Sequence, residues 1–149
     1  MTWTPHVTVA TIVKQDDKFL LVEERINNKV VLNQPAGHVE ADETLIDAAI
    51  RETLEETGWT VEPTALLGFY TYMTQCKTMT FYRTTFVADA KHFNPGYTLD
   101  SDIIRTHWMT LDEIKSRKTS LRSPIVLKCT EDYCAGRRFP LDTIEEYYE

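Results

Sequence analysis

The chain has 149 residues, of which 42% are hydrophobic and 26% are charged. This composition is that of a globular protein rather than a disordered one, and the length suits a single domain spanning residues 1–149. The formal net charge of −7 argues against general affinity for nucleic acid or an anionic membrane, so we expect neither as a partner.

The first part of the chain reads as strands joined by turns. Alternating, β-branched segments predict strands over 6–14, 18–24 and 30–32, and Pro and Gly predict a loop over 33–38. A helix is expected to follow, with Asp42 as its N-cap and its end at about Thr57. Gly58 suits the left-handed residue that commonly follows a helix.

The second part adds three strands and two helices. We predict the strands over 65–73, 78–90 and 106–110. Thr110 and Glu113 have the spacing of a capping box and predict a short helix. Ser123 and Pro124 are expected to begin the last helix, and Gly136 to end it. Strands mixed with helices predict an α/β fold in which helices pack on a mixed sheet.

The cysteines and the N-terminus give no sign of secretion. Cys76, Cys129 and Cys134 are an odd number without paired spacing, which indicates reduced, mostly buried thiols rather than zinc ligands or disulfides. The N-terminus lacks the features of a signal peptide, and no segment approaches the ~18 apolar residues of a membrane span. We therefore expect a soluble cytoplasmic protein, either a monomer or a homodimer.

Residues 37–58 contain seven acidic residues, one arginine and no lysine. On a helical wheel Glu52, Glu55 and Glu56 fall within an arc of about 100°. The opposite stripe, predicted to face the core, consists of Ile46, Ile50, Thr53 and Thr57. Each pair of like charges one turn apart costs about 0.2–0.5 kcal/mol, and anions are disfavoured at a helix C-terminus. The pattern fits a solvated acidic face or a Mg²⁺ or Mn²⁺ site, and spacing alone leaves both open.

The same stretch resembles a long family motif. Fixed positions match the pattern G-x5-E-x7-R-E-U-x-E-E-x-G-U at Gly37, Glu43, Arg51, Glu52, Glu55, Glu56 and Gly58. This is the signature of the Nudix hydrolases, and only Thr53 and Trp59 depart from its preferred aliphatic positions. The resemblance implies the Nudix-type α/β/α sandwich around a mixed β-sheet.

Further segments resemble one bacterial Nudix subgroup, the phosphatases called NudJ. They include "PHVTVA", "KFLLVEE", "NQPAGHVEADETL", "LRSP" and "RRFPL". The resemblance implies a Mg²⁺-dependent enzyme, with Mn²⁺ as a substitute, that releases orthophosphate from small molecules. The implied substrates are nucleoside tri- and diphosphates and the pyrophosphate of hydroxymethylpyrimidine, a thiamine precursor. The alternatives are another Nudix specificity, for nucleotide sugars or the RNA 5′ end, and a non-catalytic ligand-binding module.

The resemblance also implies roles for the motif residues. The metal ligands would be Gly37, through its carbonyl, together with Glu52, Glu55 and Glu56. Glu52 is our first choice for the base that activates water. Arg51 and Glu43 are expected to belong to the catalytic site, with Glu43 as the partner of Arg51 and Arg51 orienting Glu52.

Outside the motif, the candidates are weaker because each has an ordinary structural alternative. Asp100 and Asp102 could supply a further ligand or base, or could cap a turn. The residues expected to bind substrate are Arg25, Arg122, Tyr82 and Asp102. For the arginines the alternative is surface solvation, and for Tyr82 it is core packing. Of the four histidines, only His38 has a place beside the predicted metal loop.

Overall fold

The computed structural model describes residues 2–149, which form eight strands and three α-helices. The strands are β1 (His6–Gln15), β2 (Lys18–Ile26), β3 (Lys29–Asn33), β4 (Ala36–His38), β5 (Trp59–Met73), β6 (Thr80–Phe93), β7 (Ile103–Thr110) and β8 (Phe139–Pro140). The helices are α1 (Leu45–Thr57), α2 (Leu111–Ser116) and α3 (Pro124–Cys134). None of the helices within residues 2–149 is long and apolar enough to cross a membrane.

The strands form one mixed sheet in the order β3-β2-β1-β6-β5-β8, with β4 paired to β1 and β7 paired to β2. β1 and β6 run parallel, and the other pairs are antiparallel. Neighbouring residues such as Phe86 and Val87 point to opposite faces. Phe86 packs with Ala48 and Ala49 of α1, whereas Val87 packs in the cluster that contains Ile114 of α2 and Ile125 of α3. The predicted α/β sandwich around a mixed sheet is confirmed.

Several element boundaries differ from the sequence prediction. β5 begins at Trp59 rather than at 65, and β7 begins at Ile103 rather than at 106. β4 lies inside the segment predicted as a loop, because its backbone pairs with β1 despite its glycine. The short β8, which pairs with β5, was not predicted at all.

The prediction of Asp42 as the N-cap of α1 is wrong. Asp42 has φ 61°, a left-handed turn conformation that Asp tolerates. Thr44 is the N-cap, and its side chain accepts a hydrogen bond from the Asp47 N–H. Gly58 has φ 79° and ends α1 as predicted. The capping box at Thr110 is also confirmed.

The buried face of α1 differs from the predicted stripe. Its buried residues are Ala48, Ala49, Thr53, Glu56 and Thr57. Ile46 and Ile50 are only half-buried. The buried arc is therefore rotated toward the acids, because β4 covers that side of the helix: the Ala36 N–H donates to the Glu56 carboxylate at 2.9 Å.

All three cysteines are free thiols, but the prediction that they are mostly buried is wrong. Only Cys129 is buried, where it belongs to the core cluster beneath α3, whereas Cys76 and Cys134 are exposed.

Candidate active site

A cleft of about 610 Å³ opens where α1, β4 and the ends of several strands meet. Its walls carry charges of both signs. The charged groups lining it include Glu24, Glu52, Glu56, Asp100, Arg83 and Arg122. Glu52 and Glu56 of α1 therefore face a cavity of ligand size rather than open solvent, which argues against the solvated-face interpretation for these two acids.

Gly37 allows the backbone of β4 to approach the carboxylate of Glu52. A Cβ atom built on Gly37 would overlap the carboxylate group of Glu52. Gly37 is held in place by pairing with Val9 of β1. The glycine of the motif is therefore required by close approach, and a side chain here would displace Glu52.

Arg51 organises the acids around it. Its Nε donates to Glu43 Oε2 at 2.6 Å, and its Nη1 donates to Glu52 Oε1 at 2.8 Å and to Glu55 Oε2 at 3.1 Å. Its Nη2 donates to the backbone carbonyl of His38 at 3.0 Å. The hydrogen bond from Arg51 also lowers the pKa of Glu43. Glu43 thus lies against Arg51 and not among the clustered acids, and Arg51 holds Glu52 in a fixed orientation.

The structure brings Arg51 against Glu52, the carboxylate that the family resemblance expected it to orient. Helical spacing alone gave no reason for this pair, because residues i and i+1 do not face each other on a helix. The arginine is long enough to bend back to Glu52 while it also bridges to Glu43. The acidic cluster therefore has one local positive charge, shared among several carboxylates.

The carboxyl groups of Glu52 and Glu56 are largely buried. The Glu52 side chain is 12% exposed, and burial raises its pKa although Arg51 acts in the opposite direction. Burial raises the pKa of Glu56 to about 9, and the nearby Glu24 and Glu52 add to the shift. Desolvation and like charges both disfavour the ionised forms of these two carboxyl groups, and the single charge of Arg51 does not reverse the shift at Glu52.

Three carboxylates converge closely enough to hold a cation. One oxygen each from Glu52, Glu55 and Asp100 lies within 4.8 Å of the others. The Asp100 backbone N–H donates to the carbonyl of Glu55 at 3.0 Å, which docks its loop onto the end of α1. Clustered carboxylate oxygens suit hard divalent cations such as Mg²⁺ and Mn²⁺. Glu56, which was predicted as a ligand, lies beside this cluster and is bonded to β4.

The structure brings only part of the predicted substrate-binding set into the cleft. Arg122 and Asp102 line it. Arg122 also donates to the Glu24 carboxylate at 2.8 Å. Arg25 and Tyr82 do not belong to the lining, so the expectation for these two residues is not supported. Successive side chains of a strand point to opposite faces of the sheet. For both Arg25 and Tyr82, the preceding and following residues of the strand line the cleft, so their own side chains point away from it.

An aromatic wall lies on the same side as His38. The His38 Nε2 lies 2.9 Å from His6 Nδ1, and the His6 ring stacks on Phe81 with centroids 4.8 Å apart. The Phe81 ring in turn stacks on Tyr72 at 6.5 Å. Phe81, Tyr72 and His38 line the cleft, so a planar ring could bind between these side chains and the acids.

Sequence reasoning missed Arg83, Glu24 and Asn33, which all line the cleft. One signal was available for Arg83. Along β6 it alternates with Phe81 and Thr85 on one face, where an arginine is unusual between residues that are otherwise apolar or small. Glu24 and Asn33 lie at the edges of two segments that resemble the NudJ subgroup, but nothing in those segments indicated a role for either side chain.

Comparison with known proteins matches nearly the whole chain. The family model described as the NUDIX domain matches residues 4–129. Phosphatase NudJ from Escherichia coli (strain K12) is 43% identical over 143 residues, which cover 96% of this chain and 92% of that protein. Phosphatase NudJ from Shigella boydii serotype 4 (strain Sb227) matches to the same extent. A solved NUDIX hydrolase from Nitrosomonas europaea has a TM-score of 0.94 at 44% identity, covering 97% of this chain and 98% of that one.

Proposed function

The chain belongs to the Nudix hydrolase family, and on that premise we propose that it is a Mg²⁺-dependent phosphatase of nucleotides and related pyrophosphate compounds. The observation that carries this proposal is the convergence of Glu52, Glu55 and Asp100, of which Glu52 and Asp100 line the cleft, with Arg51 bonded to two of the three. The 43% identity to phosphatase NudJ over 96% of the chain supports the subgroup. We infer that residues 1–149 act as one catalytic domain.

The residues around the cluster fit a bound Mg²⁺. Glu52, Glu55 and Asp100 would hold it, with Glu56 and the carbonyl of Gly37 beside them. Such an ion would neutralise phosphate charge and lower the pKa of a water molecule bound to it. Arg51 fixes the orientation of the carboxylates, as metal sites require of the groups behind their ligands.

Glu52 is the residue that we propose as general base. It is largely buried in the cleft and held by Arg51 at 2.8 Å. It would accept a proton from the water that attacks the terminal phosphorus in line. One P–O bond forms to the water oxygen, and the terminal P–O–P anhydride bond breaks. The products are orthophosphate and the nucleotide shortened by one phosphate.

Another part of the cleft suits the ring at one end of such a substrate. The aromatic wall of Tyr72, Phe81 and His38 offers π-faces on which a nucleobase or a pyrimidine ring can stack. The proposed substrates are therefore nucleoside tri- and diphosphates and hydroxymethylpyrimidine pyrophosphate.

The test is release of orthophosphate from a panel of pyrophosphate compounds, in Mg²⁺ and in EDTA. The panel contains nucleoside tri- and diphosphates, hydroxymethylpyrimidine pyrophosphate, ADP-ribose and a 5′-triphosphorylated RNA. Each reaction is assayed again after adding inorganic pyrophosphatase, or alkaline phosphatase for ADP-ribose, whose cleavage yields two phosphate monoesters. Direct Mg²⁺-dependent orthophosphate is expected from the nucleoside tri- and diphosphates and from hydroxymethylpyrimidine pyrophosphate. Signal only after the added enzyme would contradict attack at the terminal phosphorus, and no signal from any compound in either assay would contradict the proposed phosphatase.

A further inference from the structure

Arg83 is a buried arginine without an acidic partner. Its side chain lies on β6, is 8% exposed and lines the cleft. Its Nη1 donates to Gln34 Oε1 at 3.0 Å and its Nη2 to Asn33 Oδ1 at 2.9 Å. Both acceptors are neutral amides, and within residues 2–149 no carboxylate lies within ion-pair distance of Arg83.

An unpaired buried charge is unusual because removing it from water is costly. Burial lowers the pKa of Arg83, but a guanidinium stays protonated in proteins. Its other neighbours do not cancel the charge. Burial raises the pKa of the Cys129 thiol, which is therefore neutral, and Arg122 carries a like charge. The charge of Glu24 acts to raise the pKa of Arg83, but Glu24 is already bonded to Arg122.

The two amides hold the guanidinium rigidly. The Gln34 Nε2 donates to the Val126 carbonyl at 2.7 Å and to Thr130 Oγ1 at 3.3 Å, both on α3. These bonds orient Gln34 so that its oxygen faces Arg83. Because the amides accept only part of the hydrogen-bonding capacity of the guanidinium, N–H groups remain that can donate to a ligand in the cleft.

We propose that Arg83 binds the terminal phosphate of the substrate and the orthophosphate product, with Asn33 and Gln34 as positioning residues. This inference rests on the proposed function, since it assigns the substrate class of the same cleft. A phosphate monoester end offers several oxygens and a net negative charge to a planar guanidinium fork. Arg122 lines the cleft nearby, as does Ser123 at the N-terminus of α3, where the helix dipole favours anions.

Neutral partners for Arg83 explain the specificity that we infer. A carboxylate in place of Asn33 would neutralise the guanidinium before substrate arrives. The amide instead leaves the full charge for the ligand. Compounds that end in a free phosphate would therefore be preferred over those in which both phosphates are esterified, such as a nucleotide sugar.

The test is the substitution Asn33→Asp, which places a carboxylate against Arg83 with almost no change in shape. Binding of inorganic phosphate to the purified full chain is measured by isothermal titration calorimetry at fixed Mg²⁺, and the KM for a nucleoside triphosphate is measured in parallel. Asn28→Asp is the matched control. It makes the same change in net charge, and Asn28 is exposed at the turn between β2 and β3.

We expect Asn33→Asp to weaken phosphate binding and raise KM by about 10-fold or more, with thermal stability and Mn²⁺ binding equal to those of the wild type. Asn28→Asp should leave all four quantities unchanged. Arg83→Lys, which keeps the charge but loses the fork, should weaken phosphate binding by less than Asn33→Asp does. Wild-type phosphate affinity in Asn33→Asp would overturn the inference, even if the wild-type enzyme releases orthophosphate. Phosphate binding that is sensitive to Asn33→Asp, in a protein inactive on the whole panel, would uphold the anion site and reject the proposed reaction.

Discussion

The cleft has an acidic wall, formed by Glu52 and Glu56 with Arg51 behind them, and a basic wall, formed by Arg83 and Arg122. Arg51 and Arg83 differ in the partners that they bind. On the acidic wall, Arg51 is shared by Glu43, Glu52 and Glu55. On the basic wall, Arg83 donates to the neutral Asn33 and Gln34, and no carboxylate of residues 2–149 lies within ion-pair distance of it. The first wall has more negative charge than its arginine can balance, and the second has an arginine with no ion-pair partner in that part of the chain.

For these two arginines, the partners of the guanidinium distinguish their roles better than its burial does. Arg51 is satisfied within the protein and acts by holding carboxylates, whereas the charge of Arg83 is left for a ligand. A Mg²⁺ complex of a phosphate chain carries both signs and would complement both walls.

Replacing Glu52 by Gln should have the largest effect. The amide cannot accept a proton from water and is a weaker ligand for a cation, so kcat should fall by ~10²–10⁴-fold. The measurement is steady-state orthophosphate release in Mg²⁺. Glu62→Gln is the matched control, because Glu62 is exposed on β5 and outside the cleft. A Glu52→Gln enzyme with near wild-type kcat would remove Glu52 from the mechanism.

Gly37→Ala should come next, since its new Cβ would push the Glu52 carboxylate from its place. A displacement of this kind can cost about 10²-fold in rate, and overpacking about 1–3 kcal/mol in the free energy of unfolding. Activity and chemical denaturation would be measured together. The control is Gly96→Ala, whose Cβ would meet only Asn94 Oδ1 at 3.6 Å. If Gly37→Ala retained full activity, the close approach of β4 to Glu52 would have no functional role.

Arg51→Lys should have an intermediate effect. A lysine ammonium keeps the charge but cannot bond Glu43 and Glu52 as a planar fork does. We expect Mn²⁺ affinity to fall by about 10–100-fold, which is usual when a group behind the metal ligands is lost. Electron paramagnetic resonance of free Mn²⁺ would give the affinity. Unchanged affinity would mean that Arg51 only stabilises the fold, which thermal unfolding of the same variant would reveal.

Arg25→Ala and Tyr82→Ala should have the smallest effects on catalysis. Both residues were expected to bind substrate, but their side chains lie outside the lining of the cleft. The KM for a nucleoside triphosphate should stay within about twofold of the wild-type value, as for surface residues away from a site. A large rise in KM for either variant would place substrate on the other face of its strand.

The acidic wall was far more predictable from the sequence than the basic wall. Its residues lie within one helix and the preceding loop, so fixed spacing brings them together and a motif can record it. Arg83, Asn33 and Glu24 come from three different strands, and only the pairing of those strands places them in one cleft. The expectation for Tyr82 and Arg25 had a related weakness, because adjacent residues of a strand point to opposite faces of the sheet and the sequence did not show which face the cleft occupies.

The most direct test of the central claim is a Mn²⁺ titration of the wild type and of Asp100→Asn, followed by electron paramagnetic resonance. Asp100 lies outside the motif, yet its carboxylate joins Glu52 and Glu55 within 4.8 Å. If these three acids hold a divalent cation, the wild type should bind Mn²⁺ in competition with Mg²⁺, and Asp100→Asn should bind it about 10-fold or more weakly. Equal Mn²⁺ affinity in the two proteins, or none in the wild type, would contradict the account.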